Sequence, residues 1–174
     1  RSELIVNSRV FDVFDLPDGD FIYNWMKSNT FEVGGEDTID AGHGDNIIIA
    51  GLGADKIVSG DGMDVIVGDR GYVDFYRAVP VLIKSIDTVG IGNNADEIFA
   101  GDGDNILIGG LDSDSINSGN GNDIVLGGNG EITMRYNSRD GTISLDEENG
   151  IIKRLDALDG VNVYNLGGGE NRQE

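Results

Sequence analysis

The sequence of 174 residues predicts an all-β protein built from short repeats. A nine-residue period runs through residues 32–71 and returns through residues 91–130. Each repeat has glycines near its start and a large aliphatic residue near its end, which is typical of tight turns alternating with short strands. The segments outside the repeats alternate apolar and polar residues, and this alternation also favours strands.

The repeats follow the pattern G-G-x-G-x-D-x-U-x, in which U is a large apolar residue. The first block contains the units 32–40, 41–49, 50–58 and 59–67 and the half-unit 68–71. The second block contains the units 91–99, 100–108, 109–117 and 118–126 and the half-unit 127–130. The blocks superpose at an offset of 59 residues, which is a second and longer repeat. A pattern this strict indicates ordered structure instead of a flexible acidic linker.

The composition argues against several classes of function. The net charge is −20, from 32 acidic and 12 basic residues, so neither nucleic acid nor an anionic membrane is an expected partner. Cysteine is absent, which excludes disulfides, and a single histidine disfavours most zinc sites and any histidine-dependent triad. We interpret His43 as an exposed residue of a variable loop. No apolar run is long enough for a membrane span, and no signal peptide is recognised.

Acidic residues at regular spacing are candidate metal ligands. Position six of every full unit carries a side-chain oxygen, and the eight residues are Asp37, Asn46, Asp55, Asp64, Asp96, Asn105, Asp114 and Asp123. Glycines at positions two and four allow left-handed turns and a close approach of backbone carbonyls to an ion. These glycines are Gly42, Gly44, Gly51, Gly53, Gly60, Gly62, Gly101, Gly103, Gly110, Gly119 and Gly121. Carbonyl and carboxylate oxygens together are the ligands that Ca²⁺ prefers.

These residues resemble the hemolysin-type calcium-binding repeats of RTX proteins. The resemblance implies a parallel β-roll with two repeats per turn, loops stacked at i and i+18, and Ca²⁺ between the stacked loops. The implied stacks are Asp37 on Asp55, Asn46 on Asp64, Asp96 on Asp114 and Asn105 on Asp123. Two partial sites are expected between Asp55 or Asp114 and the closing loops GDRG and GGNG. The chain would then hold about four to six Ca²⁺ ions in oxygen cages.

The resemblance and the flanking segments together predict two short parallel β-rolls, a β-solenoid architecture, with linking and capping strands and hairpins. The predicted parts are a cap at 1–31, a roll at 32–71, a linker with cap strands at 72–90, a roll at 91–130 and a C-terminal part at 131–174. The aromatic residues of the first part are expected to form the core of the cap. The C-terminal part contains a hairpin from about Ile132 to Leu145, with its turn at Asp140-Gly141, and the start of a degenerate third copy.

The repeats depart from the pattern at several positions. Asn46 and Asn105 are neutral, so their sites lose one charge. Asn94 and Asp112 replace the position-four glycine, a place where Asn and Asp tolerate left-handed geometry. Asn171 and Gln173 align with Asp37 and Ile39, so a third roll is not expected to start in this chain.

The triplets at positions seven to nine predict two different sheets. Odd units have mixed triplets, whereas even units have wholly apolar ones: Ile47–Ile49, Val65–Val67, Ile106–Ile108 and Ile124–Leu126. A sheet that is apolar on both faces is normally covered on both. We expect the cover to be the non-repeat segments, the neighbouring roll or another molecule, including another copy of the chain.

These observations predict a calcium-binding structural module of a secreted or cell-surface repeat protein of the adhesin, surface-layer or filament type. The alternative is a non-catalytic secretion or folding module of a secreted enzyme or toxin. Catalysis within these residues is not expected. Ice or carbohydrate binding would require a regular threonine ladder or an aromatic row, and the sequence has neither. The start at Arg1 instead of Met predicts a part of a longer protein, and we expect the repeats to fold only with Ca²⁺.

Overall fold

The computed structural model describes residues 3–6, 9–12, 25–27, 34–77, 79–87, 93–137, 139, 143–145, 152–154, 163–166 and 172–173. These residues form an all-β fold. The strands are β1 (Glu3–Val6), β2 (Arg9–Asp12), β3 (Trp25–Lys27), β4 (Thr38–Asp40), β5 (Ile47–Ile49), β6 (Lys56–Val58), β7 (Val65–Val67), β8 (Gly71–Tyr76), β9 (Val79–Ser85), β10 (Glu97–Phe99), β11 (Ile106–Gly110), β12 (Ser115–Gly119), β13 (Ile124–Gly128), β14 (Gly130–Tyr136), β15 (Ile143–Leu145), β16 (Ile152–Arg154), β17 (Val163–Leu166) and β18 (Arg172–Gln173). In the parts of the chain just given, no helix could cross a membrane.

The repeat strands form two parallel sheets, which we name the odd sheet and the even sheet. The odd sheet contains β4, β6, β10 and β12, and the even sheet contains β5, β7, β11 and β13. Thr38 lies opposite Lys56 in the odd sheet, and Ile47 lies opposite Val65 in the even sheet. The chain therefore alternates between the sheets and returns to each one every two repeats.

The two repeat blocks lie in the same two sheets. Strand β6 pairs in parallel with β10 through Lys56 and Glu97, and β7 pairs with β11 through Val65 and Ile106. The prediction of two separate rolls was therefore wrong, because the second block stacks directly on the first. Pairing satisfies the backbone groups that a free edge would leave open.

The junction between the blocks is one repeat loop built from two segments. Stacked residues within a block are 18 apart, whereas across the junction they are 41 apart, an excess of 23 residues. The Gly51 N–H donates to the Gly68 carbonyl, and the Gly53 N–H donates to Asn94 Oδ1. Residues 68–70 therefore supply the first part of the loop and residues 94–96 supply the last part.

The inner core lies between the odd and even sheets. It contains the aliphatic residue at position eight of each repeat together with small alanines at position one. Its members are Ile39, Ala41, Ile48, Ala50, Ile57, Ile66, Ile98, Ala100, Leu107, Ile116 and Val125. The single aliphatic residue per repeat is thus sufficient to fill the space between two sheets.

A third sheet covers the outer face of the even sheet, and we name it the cover sheet. It has the order β15-β14-β9-β8-β3, with β16 also paired to β14. Val73, Ile83 and Ile132 from this sheet pack into a second apolar cluster with the even-sheet residues. The outer residues of the even sheet are consequently buried, at 1% exposure for Val65, 0% for Val67, 2% for Ile106 and 0% for Ile108.

The prediction that the apolar face is covered is confirmed, and the cover is the chain's own non-repeat segments. The strand pairing of the predicted hairpin is also confirmed, because β14 pairs antiparallel with β15 through Met134–Leu145 and Tyr136–Ile143, and the predicted turn at Asp140-Gly141 lies outside the described residues.

The non-repeat segments add strands to the cover sheet in a regular way. Strand β8 leaves the repeats, and β9 returns to them, with Tyr72 opposite Lys84. Strand β14 leaves after the second block and lies between β9 and β16, with Glu131 opposite Lys84 and Lys153. The first excursion thus contributes β8 and β9 to the cover sheet, and the second contributes β14, β15 and β16.

The terminal strands extend the repeat sheets. Strand β1 lies parallel to β5, and β17 and β18 lie parallel to β12 and β13. Gln173 stands opposite Val125, which occupies position eight as Ile39 does, so Gln173 has the predicted repeat position but lies in the even sheet. The side chains of the predicted aromatic cap, Phe11, Phe14, Phe21, Tyr23 and Trp25, lie outside the described residues.

Candidate metal centre

The turns between the strands stack along the two edges of the repeat sheets. One edge carries aspartate at position six of each turn, and we name it the aspartate edge: Asp37, Asp55, Asp96 and Asp114. The other edge alternates asparagine with aspartate, and we name it the mixed edge: Asn46, Asp64, Asn105 and Asp123. All the predicted position-six ligands lie on these two edges.

Hydrogen bonds connect successive position-six residues along each edge. On the aspartate edge the N–H of Asp37 donates to Asp55 Oδ1 at 2.8 Å, and the N–H of Asp96 donates to Asp114 Oδ1 at 2.9 Å. On the mixed edge the bonds from Asn46 to Asp64 and from Asn105 to Asp123 measure 2.8 and 3.0 Å. The four stacks expected at i and i+18 are therefore confirmed.

Two further stacks cross the junction between the blocks. The Asp55 N–H donates to Asp96 Oδ1 at 2.8 Å, and the Asp64 N–H donates to Asn105 Oδ1 at 3.0 Å. Sequence reasoning missed both stacks because it ended the first block at residue 71. Each edge is therefore one uninterrupted ladder.

The predicted glycines have the left-handed backbone that the turns require. All eleven have φ between 73° and 151°. Asp112 also has a positive φ of 68°, as expected at position four. Asn94, which also stands at position four, does not have a positive φ. Successive turns lie so close that a Cβ added to Gly101 would stand 2.2 Å from the Gly60 carbonyl oxygen. The turns thus bring carbonyl oxygens into direct stacking.

The aspartate edge contains buried carboxylate oxygens that lack hydrogen-bond donors. Asp55 and Asp96 are both 2% exposed, and their Oδ2 atoms have no hydrogen-bond partner. Burial raises the pKa of Asp55 to about 6 and that of Asp96 to about 10. The neighbouring carboxylates contribute to the raised pKa of Asp96 after burial. Such oxygens need either a proton or a cation.

Asp69 is a third buried carboxylate at this edge, and sequence reasoning did not single it out. It stands at position two of the half-unit 68–71, and its Oδ2 accepts a hydrogen bond from the Leu111 N–H. Its Oδ1 has no hydrogen-bond partner. Burial, and after it the nearby carboxylates, raises the pKa of Asp69 to about 9. The available signal was an aspartate at a position where the repeat has glycine.

The nearby Arg70 does not neutralise Asp69, because its guanidinium is paired with Asp87. Nε and Nη2 of Arg70 both contact Asp87 Oδ1, and the Arg70 N–H donates to Asp87 Oδ2 at 3.0 Å. This buried ion pair fixes the point at which the chain leaves the repeats, since Ile86 also donates its N–H to the Arg70 carbonyl.

Carboxylate and carbonyl oxygens converge on points that no side chain fills. A Cβ on Gly68 would stand 2.1 Å from Asp96 Oδ2 and 2.5 Å from the Gly109 oxygen. A Cβ on Gly109 would stand 2.3 Å from Asp114 Oδ2 and 2.2 Å from the Gly127 oxygen. Asp114 therefore faces the closing loop GGNG as expected. The loop GDRG stacks on the Asp55 turn as expected, since the Gly51 N–H donates to the Gly68 carbonyl, and Asp96 supplies position six of the same composite turn.

The donor set suits Ca²⁺. Among the described residues, no three His, Cys, Asp or Glu side chains group together as a metal site, so backbone carbonyls would supply most of the ligands. Calcium accepts six to eight oxygens with flexible geometry, and carbonyls count equally with carboxylates. When bound, the ion would supply the positive charge that the buried acids lack. His43 is not part of this set, because its side chain is 81% exposed and lies 3.4 Å from Asp61.

Comparison with known proteins identifies the repeats. A family model described as the RTX calcium-binding nonapeptide repeat matches residues 34–57 and 99–131, in four copies. No curated protein and no solved structure matches the chain.

Proposed function

Since the chain carries RTX calcium-binding nonapeptide repeats, we propose that it is a calcium-dependent structural module of a secreted or cell-surface repeat protein. An adhesin, a surface-layer protein or a filament is the type of parent protein that the 59-residue super-repeat favours. The repeats form a β-roll that folds and stiffens when it binds Ca²⁺ outside the cell.

The observation that carries this proposal is the row of buried acids on the aspartate edge. Asp55, Asp69 and Asp96 each have a buried oxygen without a hydrogen-bond donor. An ionised carboxylate in such a place is strongly destabilising unless a cation pairs with it. Bound Ca²⁺ would compensate the charge of these carboxylates and so remove the destabilisation. Folding and metal binding are therefore coupled.

The net charge supports the same coupling. The chain carries −20, and four to six Ca²⁺ ions would change the net charge to between about −12 and −8. Low cytosolic Ca²⁺ would keep the chain unfolded and competent for export, and the higher extracellular concentration would fold it. We propose a purely structural role, since a chain with one histidine and no cysteine offers few groups for catalysis.

Circular dichroism in EDTA and in millimolar Ca²⁺ tests this function. We expect β-structure in Ca²⁺ and a largely unfolded chain in EDTA, with about four to six ions bound per chain by native mass spectrometry. Mg²⁺ at the same concentration is the control, because its demand for octahedral geometry suits these carbonyl-rich loops poorly. Identical spectra in EDTA and Ca²⁺, or no bound ion, would refute the proposal.

A further inference from the structure

The two edges of the repeat sheets differ in what their position-six side chains contact. On the mixed edge, each of these side chains has a hydrogen-bond partner at the place where the aspartate edge has facing acceptors, and the one unpartnered buried oxygen among them is Asn46 Oδ1 of the first turn. The two edges can be compared atom by atom, because the same repeat positions stack on both.

Asn46 fills its own loop with an amide nitrogen. Its Nδ2 lies 3.1 Å from the Gly42 oxygen, 2.7 Å from the Gly44 oxygen and 3.0 Å from the Ser59 oxygen. The same nitrogen lies 3.0 Å from Asp64 Oδ1. Four oxygens thus surround one NH₂ group in the way that ligands surround a cation. The opposite orientation of the amide would set Oδ1 against these oxygens, which is repulsive without a cation.

Asn105 repeats this arrangement in the second block. Its Nδ2 lies 3.3 Å from the Gly101 oxygen, 3.1 Å from the Gly103 oxygen and 3.0 Å from the Ser118 oxygen. The two loops therefore share one arrangement, in which two glycine carbonyls and one serine carbonyl surround an amide nitrogen.

The aspartates of the mixed edge are satisfied by serine hydroxyls. Ser59 Oγ lies 2.6 Å from Asp64 Oδ2 and 3.0 Å from the Ala100 oxygen, so it bridges the carboxylate and the next turn. Ser118 Oγ lies 2.7 Å from Asp123 Oδ2 in the same way. These two serines occupy position one of their repeats, and sequence reasoning did not single them out.

The aspartate edge lacks equivalent serines at the position-one residues that the structure describes. Its position-one residues include Ala50, Gly68 and Gly109, which have no side-chain hydroxyl. Asp96 and Gly109 are separated by 13 residues in the sequence, as are Asn46 and Ser59. The Asp96 Oδ2 atom and the Gly109 oxygen therefore correspond to Asn46 Nδ2 and the Ser59 oxygen. On the mixed edge a donor faces this carbonyl, whereas on the aspartate edge an acceptor faces it.

We propose that Ca²⁺ binds along the aspartate edge, and that the mixed edge is closed by its own asparagine and serine side chains without metal. This inference rests on the proposed calcium-binding function and assigns that function to one edge. The asparagine amide takes the place of the ion, and it supplies hydrogen-bond donors to the same carbonyls. The molecule would then have one edge that requires Ca²⁺ and one edge that does not.

A matched pair of variants tests the assignment. Asp96→Asn and Asp64→Asn change the same repeat position, in adjacent turns, at residues that are 2% and 0% exposed. In Ca²⁺-saturated protein measured by native mass spectrometry, Asp96→Asn is expected to lose at least one ion, and Asp64→Asn is expected to retain the wild-type number. An equal loss of ions in both variants would overturn the proposal.

The reverse substitution tests the role of the amides. The double variant Asn46→Asp with Asn105→Asp removes the amide nitrogens and adds two carboxylates, and we expect it to bind more ions than the wild type. An unchanged number of ions would contradict the assignment of metal exclusion to these amides.

A measurement on the wild-type chain covers the case in which a variant does not fold. Nuclear magnetic resonance of the Ca²⁺-saturated protein is expected to show the Nδ2 hydrogens of Asn46 and Asn105 protected from exchange with solvent. Rapid exchange of these hydrogens on addition of Ca²⁺ would overturn the proposal. Failure of the proposed function itself would look different, because the wild type would then bind no Ca²⁺ at all.

Discussion

At position six of the repeat, Asn46 presents an amide nitrogen to the carbonyl of the next turn, and Asp96 presents a carboxylate oxygen. This difference of one atom type reverses the electrostatics of the loop. The nitrogen donates hydrogen bonds to the surrounding oxygens, whereas the oxygen repels them until a proton or cation lies between. The chemistry of each turn is thus decided by a single side chain on a common backbone.

The glycines at position two allow a test of how tightly the turns stack. Gly42 and Gly101 have nearly the same φ, 77° and 76°, but a Cβ on Gly101 would stand 2.2 Å from the Gly60 oxygen and a Cβ on Gly42 meets nothing within 4 Å. Gly42→Ala should cost only the left-handed strain of about 1–2 kcal/mol. Gly101→Ala should cost clearly more, because backbone must move as well.

Urea unfolding of both variants at one fixed Ca²⁺ concentration measures this difference. Equal destabilisation of the two variants would show that the turns relax apart without cost and would contradict the stacking of Gly101 on Gly60.

The buried acids predict how the metal-free chain responds to pH. The pKa values of Asp55, Asp69 and Asp96 are raised in the folded state to about 6, 9 and 10. Above pH 4 the unfolded chain releases these protons while the folded chain retains them, so rising pH lowers the free energy of unfolding. Calcium-stripped protein should therefore have more β-structure at pH 5 than at pH 8.

Circular dichroism of the calcium-stripped chain across this pH range is the measurement. The double variant Asp69→Asn with Asp96→Asn is the control, and it should show a weaker dependence above pH 6, since the two strongly shifted groups are absent. More β-structure at pH 8 than at pH 5 in the wild type would contradict the assignment of these acids as buried and unpaired with a cation.

The cover sheet shields the apolar outer face of the even sheet from solvent. Val73 of β8, Ile83 of β9 and Ile132 and Met134 of β14 pack with Val65, Val67, Ile106 and Ile108, which would otherwise form an exposed apolar patch. In β14 the buried Ile132 and Met134 alternate with the less buried Glu131, Thr133 and Arg135, so one face packs inward and the other is more exposed.

Ile83 and its neighbour Lys84 in β9 provide a matched test of this packing. Ile83 is fully buried against the even sheet, whereas Lys84 is half-buried, with its Nζ 5.2 Å from the centre of the Tyr72 ring. Ile83→Ala should lower the free energy of unfolding in Ca²⁺ by about 2–5 kcal/mol. Lys84→Ala should change it by less than about 1 kcal/mol, as for a contact at the surface.

Thermal or urea unfolding in saturating Ca²⁺ distinguishes the two. A small effect of Ile83→Ala would indicate that the cover sheet does not pack on the even sheet in solution.

At the scale of the whole molecule, the described part of the chain is one stack of repeat turns with a cover sheet along one side. Each 59-residue super-repeat adds turns to the stack and strands to the cover, so the two grow together. The inner core, the even sheet and the cover sheet form successive layers, and the odd sheet exposes its polar outer residues.

A designed disulfide tests the single stack. Lys56 and Glu97 lie opposite each other on adjacent parallel strands from different blocks, with an ion pair of 3.2 Å between them. Adjacent strands are about 4.8 Å apart, which suits a disulfide. The natural chain has no cysteine, so Lys56→Cys with Glu97→Cys introduces the only two thiols. We expect these thiols to crosslink on mild oxidation in Ca²⁺.

The control is Lys56→Cys with Ser115→Cys. Ser115 lies opposite Glu97 on its far side and is thus two strands from Lys56, about 10 Å away and beyond the reach of a disulfide. Non-reducing peptide mapping reads both variants. Absence of the first crosslink, or equal crosslinking in both variants, would contradict the single stack and favour two separate rolls.

Much of the repeat structure was predictable from the sequence. The repeat phase placed each aliphatic residue of position eight in the inner core, each glycine in a left-handed turn and each position-six residue on an edge. The wholly apolar even triplets predicted that their outer face would be covered. These features depend on neighbours at short and regular separations, so the local pattern encodes them.

Tertiary structure alone decided how the blocks meet. Stacking of Asp55 on Asp96 spans an excursion of irregular strands that has no nine-residue period, so no local pattern records the pairing. The free edges of β6 and β7 select it, because their backbone groups need partners. The same junction places Asp69 among the buried acids. It also positions β8 and β9, which connect the two blocks, on the even sheet. The sequence by itself thus determined the repeats and their chemistry, and the pairing of distant edges determined that they form one stack.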